Sequence, residues 1–252
     1  MACSNSEPGL VATCWPWLLA FALLGCPTAM AASLAESGLQ AEAAASDVSQ
    51  HIDGRDVRMV AVPSSRATGY LGLLRAEFER YPAALVRGVG LKRVVVCGPL
   101  TVEGQTFLGT YDCDGGAIYY TAQDLRRNLH YARVVLHHEF YHFLTQKQTG
   151  DIYTDARWSA VNRPGFGYGE GGSAMQADFG CAELVTGTPG FLTRYATAGL
   201  EEDKAETFAH LMVDRDFVLR RAASDPVLAA KVTLLAQELA PYGGAGLWSG
   251  SN

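Results

Sequence analysis

The chain has 252 residues, a length that fits one folded domain behind a targeting segment. Its formal net charge is −6, and its 20 lysine and arginine residues are scattered rather than clustered, so no nucleic-acid partner is expected. The sequence has no phosphate-binding loop, dinucleotide fingerprint, CxxC pair or GxSxG motif, which excludes the function classes that those motifs mark.

Residues 1–31 are predicted to be a signal peptide. No residue in 10–32 is charged, LLAFALLG forms a short apolar centre, and residues 29–31 read Ala-Met-Ala, an A-x-A cleavage site. Because no basic residue precedes the apolar run, a retained membrane anchor and a lipoprotein signal ending at Cys26 stay open. Each alternative places the rest of the chain in the periplasm or outside the cell. Membrane contact is expected only if the segment is retained or lipidated.

The next residues, 32–55, are rich in Ala, Ser and Glu and are predicted to form a flexible linker. A folded domain is predicted over 56–252. Its first elements are an amphipathic helix near 70–81, a strand at LKRVVVC (91–97) and a hairpin over 104–122 with DCDGG at its turn.

The sequence HHEFYH then places His138, Glu139 and His142 in HExxH spacing. The stretch 124–148 has apolar residues three or four positions apart and contains no Gly or Pro, which predicts a helix. Residues four apart share one face of a helix, so both imidazoles could reach one zinc ion while the carboxylate beside them takes a proton from water. Such chemistry hydrolyses peptide bonds. The alternative is a core helix whose polar residues only pair with neighbours.

A catalytic zinc needs a third protein ligand and keeps one position for water. The extended pattern HExxHxxGxxH is absent, because Thr145 and Gln148 stand where it has Gly and His. Downstream, LEEDKAETFAHLM has helical spacing and puts Glu202, Glu206 and His210 on one face.

With these two segments the chain resembles the gluzincin metallopeptidases, and most closely the anthrax lethal factor and pro-Pro endopeptidase group. The resemblance implies Zn²⁺ as cofactor, Glu202 as third ligand, Glu206 as an outer acid and Tyr195, in GFLTRYATAGLEED, as the oxyanion partner. It also implies an α+β, zincin-like fold with a small antiparallel sheet, an HExxH helix, a second Glu-bearing helix and a mainly helical C-terminal part. An edge strand of that sheet would border the cleft and pair with a bound peptide.

Other acids could still be the third ligand. Glu201 is adjacent to Glu202 but lacks an acid four positions on, and Asp151 and Asp155 are candidates for an aspartate ligand. His137 is expected to lie outside the metal site, either behind the ligands or at the surface.

Between the two motif segments lies a long stretch with few periodic signals. It includes WSAVNRPGFGYGEGG, and we expect it to wall the cleft and influence substrate choice. The alternative is a surface excursion whose aromatic residues, Trp158, Phe166 and Tyr168, pack inward. A last helix is predicted from Asp225, with Pro226 in its first turn.

Three cysteines lie beyond the leader, at positions 97, 113 and 181. In an oxidising compartment Cys97 could bridge to Cys113 and leave Cys181 unpaired, although other pairings and free thiols stay open.

The sequence as a whole predicts a secreted or envelope-exposed zinc metallopeptidase that acts on a peptide or protein. The alternative is a non-catalytic, zinc-containing envelope protein that serves as a binding or maturation factor. A zinc position left open for water would distinguish the first from the second.

Overall fold

The computed structural model describes residues 34–175, 180 and 182–248. The predicted signal peptide, residues 1–31, and Cys181 lie outside the described residues. Among the helices in the described part, none is long and apolar enough to cross a membrane.

The described chain is an α+β fold with eight strands and nine α-helices. The strands are β1 Gln40–Ala43, β2 Val48–Ile52, β3 Arg55–Met59, β4 Arg93–Cys97, β5 Leu100–Val102, β6 Gln105–Phe107, β7 Gly109–Asp112 and β8 Ala117–Thr121. The helices are α1 Leu34–Ser37, α2 Ser64–Phe78, α3 Ala83–Gly88, α4 Leu125–Thr149, α5 Ala156–Val161, α6 Gly172–Met175, α7 Leu200–Val213, α8 Arg215–Ala222 and α9 Pro226–Leu239.

The strands form two four-stranded sheets. The first has the order β1-β4-β8-β7, in which β1, β4 and β8 are parallel and β7 is antiparallel to β8. The second has the order β2-β3-β5-β6 and is antiparallel throughout. The expectation of one small antiparallel sheet is therefore wrong for the sheet that contacts α4. The chain between β1 and β4 contains β2, β3, α2 and α3, and a crossover of this length allows parallel pairing.

Residues 34–55 are part of the fold, so the prediction of a flexible linker over 32–55 is wrong for them. Gln40 donates its backbone N–H to the carbonyl oxygen of Lys92 at 2.9 Å, and Leu39 and Ile52 are buried. Strands β1 and β2 are held mainly by backbone pairing with β4 and β3, whose side chains belong to the hydrophobic core. Composition alone does not reveal that kind of stabilisation.

Other predicted elements are confirmed. The helix expected near 70–81 is α2, the strand at 91–97 is β4, and the hairpin is β7 with β8. Helix α9 begins after Asp225, whose side chain accepts a hydrogen bond from the Leu228 backbone N–H at 3.1 Å.

Helix α4 is the centre of the fold, since it contacts both the first sheet and α7. Tyr120 of β8 donates its hydroxyl to the Leu136 carbonyl oxygen at 2.9 Å, which fixes α4 against the sheet. On another side, the buried His137 contacts Glu77 of α2 at 2.9 Å, and Arg133 pairs with the same carboxylate. The helix is thus fixed in position and cannot slide without breaking buried polar contacts.

Cys97 and Cys113 are both free thiols, so the disulfide considered for them is wrong. Cys97 lies at the buried end of β4 and donates to the Tyr120 carbonyl oxygen at 3.5 Å. Burial raises the pKa of each thiol to about 12, which keeps both protonated.

Candidate metal centre

Three predicted ligands meet between α4 and α7. The Nε2 atoms of His138 and His142 are 2.9 Å apart, and Glu202 Oε2 lies 3.0 Å from the first and 3.4 Å from the second. All three side chains are buried. These distances are close to the roughly 3.4 Å that separates ligands of a tetrahedral zinc ion. Apart from these two imidazoles, Glu202 Oε2 has no polar partner among the described residues, as expected for an atom that shares a cation with them.

The competing acids have other contacts. Glu201 folds back on the start of α7, where a β-carbon on Gly199 would lie 2.3 Å from its Oε1. Asp151 accepts a hydrogen bond from the Thr154 hydroxyl at 2.6 Å, and Asp155 caps α5 while it accepts from Lys204 at 2.9 Å. Glu202 alone of these acids belongs to the group of atoms that lie within 4.8 Å of one another with the two histidines.

Glu206 lies one turn after Glu202 and contacts the other nitrogen of His138, with 2.9 Å between its Oε1 and Nδ1. A carboxylate at Nδ1 orients the ring so that Nε2 faces Glu202. Burial alone would raise the pKa of Glu206, but the bond with His138 and the proximity of His210 hold it well below its usual range. The carboxylate therefore stays ionised and keeps His138 in place.

Glu139 points into the cleft between α4 and β7. A β-carbon on Gly109 of β7 would lie 2.4 Å from its Cγ, so only glycine allows the strand to pass this close. Burial raises the pKa of Glu139 although His138 and His142 lower it. A carboxyl group with a raised pKa is suited to accept and then return a proton near neutral pH.

Tyr195 lies in the 3-10 turn Tyr195–Thr197 that precedes α7. Its hydroxyl donates to Glu202 Oε1 at 3.1 Å, and burial followed by the charge of Glu202 raises its pKa, so it keeps its proton. Gly172 lies directly against both groups, since a β-carbon there would lie 2.1 Å from Glu202 Oε1 and 2.3 Å from the Tyr195 oxygen. The sequence analysis did not single out Gly172, because only its place in the GYGEGG run distinguishes it.

The site opens into two cavities that meet at His138, Glu139 and Tyr195. The larger, about 710 Å³, has mainly apolar walls that include Leu108, Val134, Val135 and Leu184. The smaller, about 460 Å³, has polar walls that include Arg55, Glu103, Glu170 and Glu201. Parts of the long segment between the two motif helices line both cavities, as predicted.

That segment is attached to α7 through a buried cluster. Asp203 Oδ2 accepts hydrogen bonds from Trp158 Nε1 at 2.8 Å, from the Tyr168 hydroxyl at 2.7 Å and from Lys231 Nζ at 2.7 Å. Lys231 is fully buried and also donates to the Gly190 carbonyl oxygen at 2.8 Å. Of the three aromatic residues in the alternative prediction, Trp158 is fully buried, whereas Phe166 and Tyr168 are only half-buried. Neither Asp203 nor Lys231 was found from the sequence, since an acid in a first turn and a lysine in a helix are ordinary surface patterns.

No protein-family model matches the sequence, and no curated protein matches it either. A solved structure from Bacteroides caccae ATCC 43185, provisionally named a zinc-binding metallo-peptidase, is similar with a TM-score of 0.49 and 16% sequence identity. The match covers 82% of this chain and 80% of that chain.

Proposed function

We propose that the protein is a zinc-dependent peptidase of gluzincin type that hydrolyses peptide bonds outside the cytoplasm. The observation that carries the proposal is the meeting of three ligand atoms, the Nε2 atoms of His138 and His142 and the Oε2 atom of Glu202, at separations of 2.9 to 3.4 Å. In the described part of the chain no fourth His, Cys, Asp or Glu joins this group, and the cleft lies next to it. Three ligands and an accessible fourth position are typical of catalytic rather than structural zinc.

A zinc ion held by these residues would polarise a water molecule and the carbonyl group of the peptide bond. Glu139 takes a proton from the attacking water and delivers it to the leaving amine, for which its raised pKa and its place in the cleft are suited. Tyr195 donates a hydrogen bond to the oxyanion that develops on the carbonyl oxygen. Glu206 keeps the His138 ring in the orientation that the site requires.

The substrate is a peptide that pairs with β7. This strand is the last of the first sheet as described, and its residues Gly109 and Tyr111 line the smaller cavity. The residues just before it, Phe107 and Leu108, line the larger one. A peptide that pairs antiparallel with β7 therefore has its N-terminal half in the polar cavity and its C-terminal half in the apolar cavity. We expect an apolar side chain after the cleaved bond.

Location outside the cytoplasm is supported by the signal-peptide pattern in residues 1–31. It is tested by fractionation of cells that produce the full chain and by the N-terminal sequence of the mature protein. An intact N-terminus in the cytoplasm would contradict it.

The function is tested with purified protein. About one zinc per chain is expected. The protein should also cleave peptides from a library in which the residue after the cleaved bond is varied. Glu139→Gln should keep the zinc and lose turnover by orders of magnitude, whereas His142→Ala should lose the zinc. Zinc retained without cleavage of any peptide would favour a binding or maturation factor.

A further inference from the structure

The buried hydroxyl of Thr193 contacts both the carboxylate that orients His138 and the turn that carries Tyr195. Thr193 is fully buried, and its Oγ1 donates to Glu206 Oε2 at 2.7 Å while it accepts the backbone N–H of Ala196 at 3.1 Å. A hydroxyl has one proton to donate and lone pairs to accept, so both bonds form at the same time.

The first bond acts on the metal ligands. Glu206 Oε1 contacts His138, so with Thr193 on Oε2 both carboxylate oxygens are engaged and the plane of the carboxylate is fixed. Without the hydroxyl, the neighbour left to Oε2 among the described residues would be His210 Nε2 at 3.6 Å, which is too long for a hydrogen bond. The carboxylate could then rotate, and the His138 ring with it.

The second bond acts on the oxyanion partner. It closes a turn from Thr193 to Ala196, and Tyr195 lies inside that turn. From there the tyrosine hydroxyl reaches Glu202 Oε1 at 3.1 Å. If the turn loosens, the aromatic ring loses the backbone geometry that directs it into the cleft.

We infer that Thr193 is a positioning residue that sets His138 and Tyr195 relative to each other, an inference that rests on the proposed function. Thr193 lines neither of the two cavities and does not belong to the group of three ligand atoms. Its removal should therefore reduce zinc affinity and turnover together while leaving peptide binding almost unchanged.

The test compares four variants of the full protein. Thr193→Val keeps the shape and removes the hydroxyl, Thr193→Ala removes it without adding a methyl group, and Thr193→Ser keeps it. Thr207→Val is the matched control, since Thr207 is also fully buried and its hydroxyl has no hydrogen-bond partner in the described residues. Zinc affinity is measured by chelator competition, turnover with a cleaved peptide, and folding by thermal unfolding.

Thr193→Val and Thr193→Ala should each bind zinc about 10-fold more weakly than the wild type, which is near the lower end of the effect of losing an outer partner of a ligand. Their kcat should fall at least about 10-fold with KM within about 2-fold, and Thr193→Ser should be close to wild type. If Thr193→Val does not fold, Thr193→Ala against Thr193→Ser decides.

Two outcomes would overturn the inference: Thr193→Val behaving like Thr207→Val, or Thr193→Ser losing as much as Thr193→Ala. Wild-type protein that neither binds zinc nor cleaves peptides would instead refute the proposed function.

Discussion

Gly109 lies directly against Glu139, so close that a β-carbon on the glycine would be 2.4 Å from the glutamate Cγ. The strand proposed to pair with a substrate peptide and the residue proposed as general base are therefore in direct contact. The position of Glu139 depends on β7 as well as on its own helix.

Gly109→Ala should accordingly displace Glu139 and lower kcat at least about 10-fold, a typical size for partial loss of general-base catalysis, with zinc retained. Gly72→Ala in α2 is the control, because a β-carbon at Gly72 would meet no atom within 4 Å. Zinc content and peptide turnover are measured for both. Full activity in Gly109→Ala would show that Glu139 does not need this contact.

Zinc titration of single variants tests the choice of the third ligand. Glu202→Ala should weaken zinc binding strongly, whereas Glu206→Ala should weaken it by about 10- to 100-fold as an outer partner. Glu201→Ala, Asp151→Ala and Asp155→Ala should bind zinc as the wild type does. A wild-type affinity in Glu202→Ala, with loss in one of the others, would mean that the ligand set is wrong.

Tyr195→Phe should leave zinc binding intact and reduce kcat by about 10²-fold, the size expected when one oxyanion donor is lost. Tyr153→Phe is a matched control, since Tyr153 also lines the smaller cavity but is 68% exposed. Equal turnover of the two variants would exclude Tyr195 from the reaction.

His210 should make the fold less stable as the pH rises above neutral. Burial lowers its pKa, but the bond with Asp214 at 2.7 Å and the nearby Glu206 carboxylate raise it to about 9 from an ordinary 6.5. Asp214 also contacts His130 at 2.8 Å. The stabilisation by protonated His210 is complete below pH 6.5 and is lost as the pH rises to about 9.

The contribution of His210 to the free energy of unfolding, measured with a chelator present, should fall over that range by at most about 1.4 kcal/mol per pH unit. His138 adds to the total slope, since burial lowers its pKa but Glu202 and Glu206 raise it above its ordinary value. His210→Gln should flatten the curve. His51→Gln should not, because the His51 side chain is 65% exposed. Identical slopes in all three proteins would contradict the assignment.

The sequence predicted the parts of the site that are encoded locally. Helical spacing alone places His138 one turn from His142 and Glu202 one turn from Glu206, so the faces of α4 and α7 follow from their periodicity. That Glu202 rather than Glu201 joins the histidines agrees with the acid pair that distinguished it.

The residues that sequence analysis missed act through contacts between distant segments. Thr193 lies in irregular chain and Gly172 begins the four-residue helix α6, which is too short to give a periodic signal. Gly109 is informative only once β7 lies against Glu139. Strand β1 was missed for a related reason, since its partner β4 lies far along the sequence. Strand β2 instead forms a hairpin with β3 across the Asp-Gly pair at 53–54, a local turn signal that the sequence analysis did not use.

The buried pair Asp203 and Lys231 holds both ends of the span 169–189, because Tyr168 bonds to the aspartate and Gly190 to the lysine. The two ends of this span are therefore held at one buried point.

Because Gly172, inside the span, lies against Glu202 and Tyr195, a change in the span leaves α7 in place only if that glycine is kept. Replacing other described residues of the span, such as Ser173 and Leu184, would reshape the walls of the two cavities without moving the helix that carries Glu202.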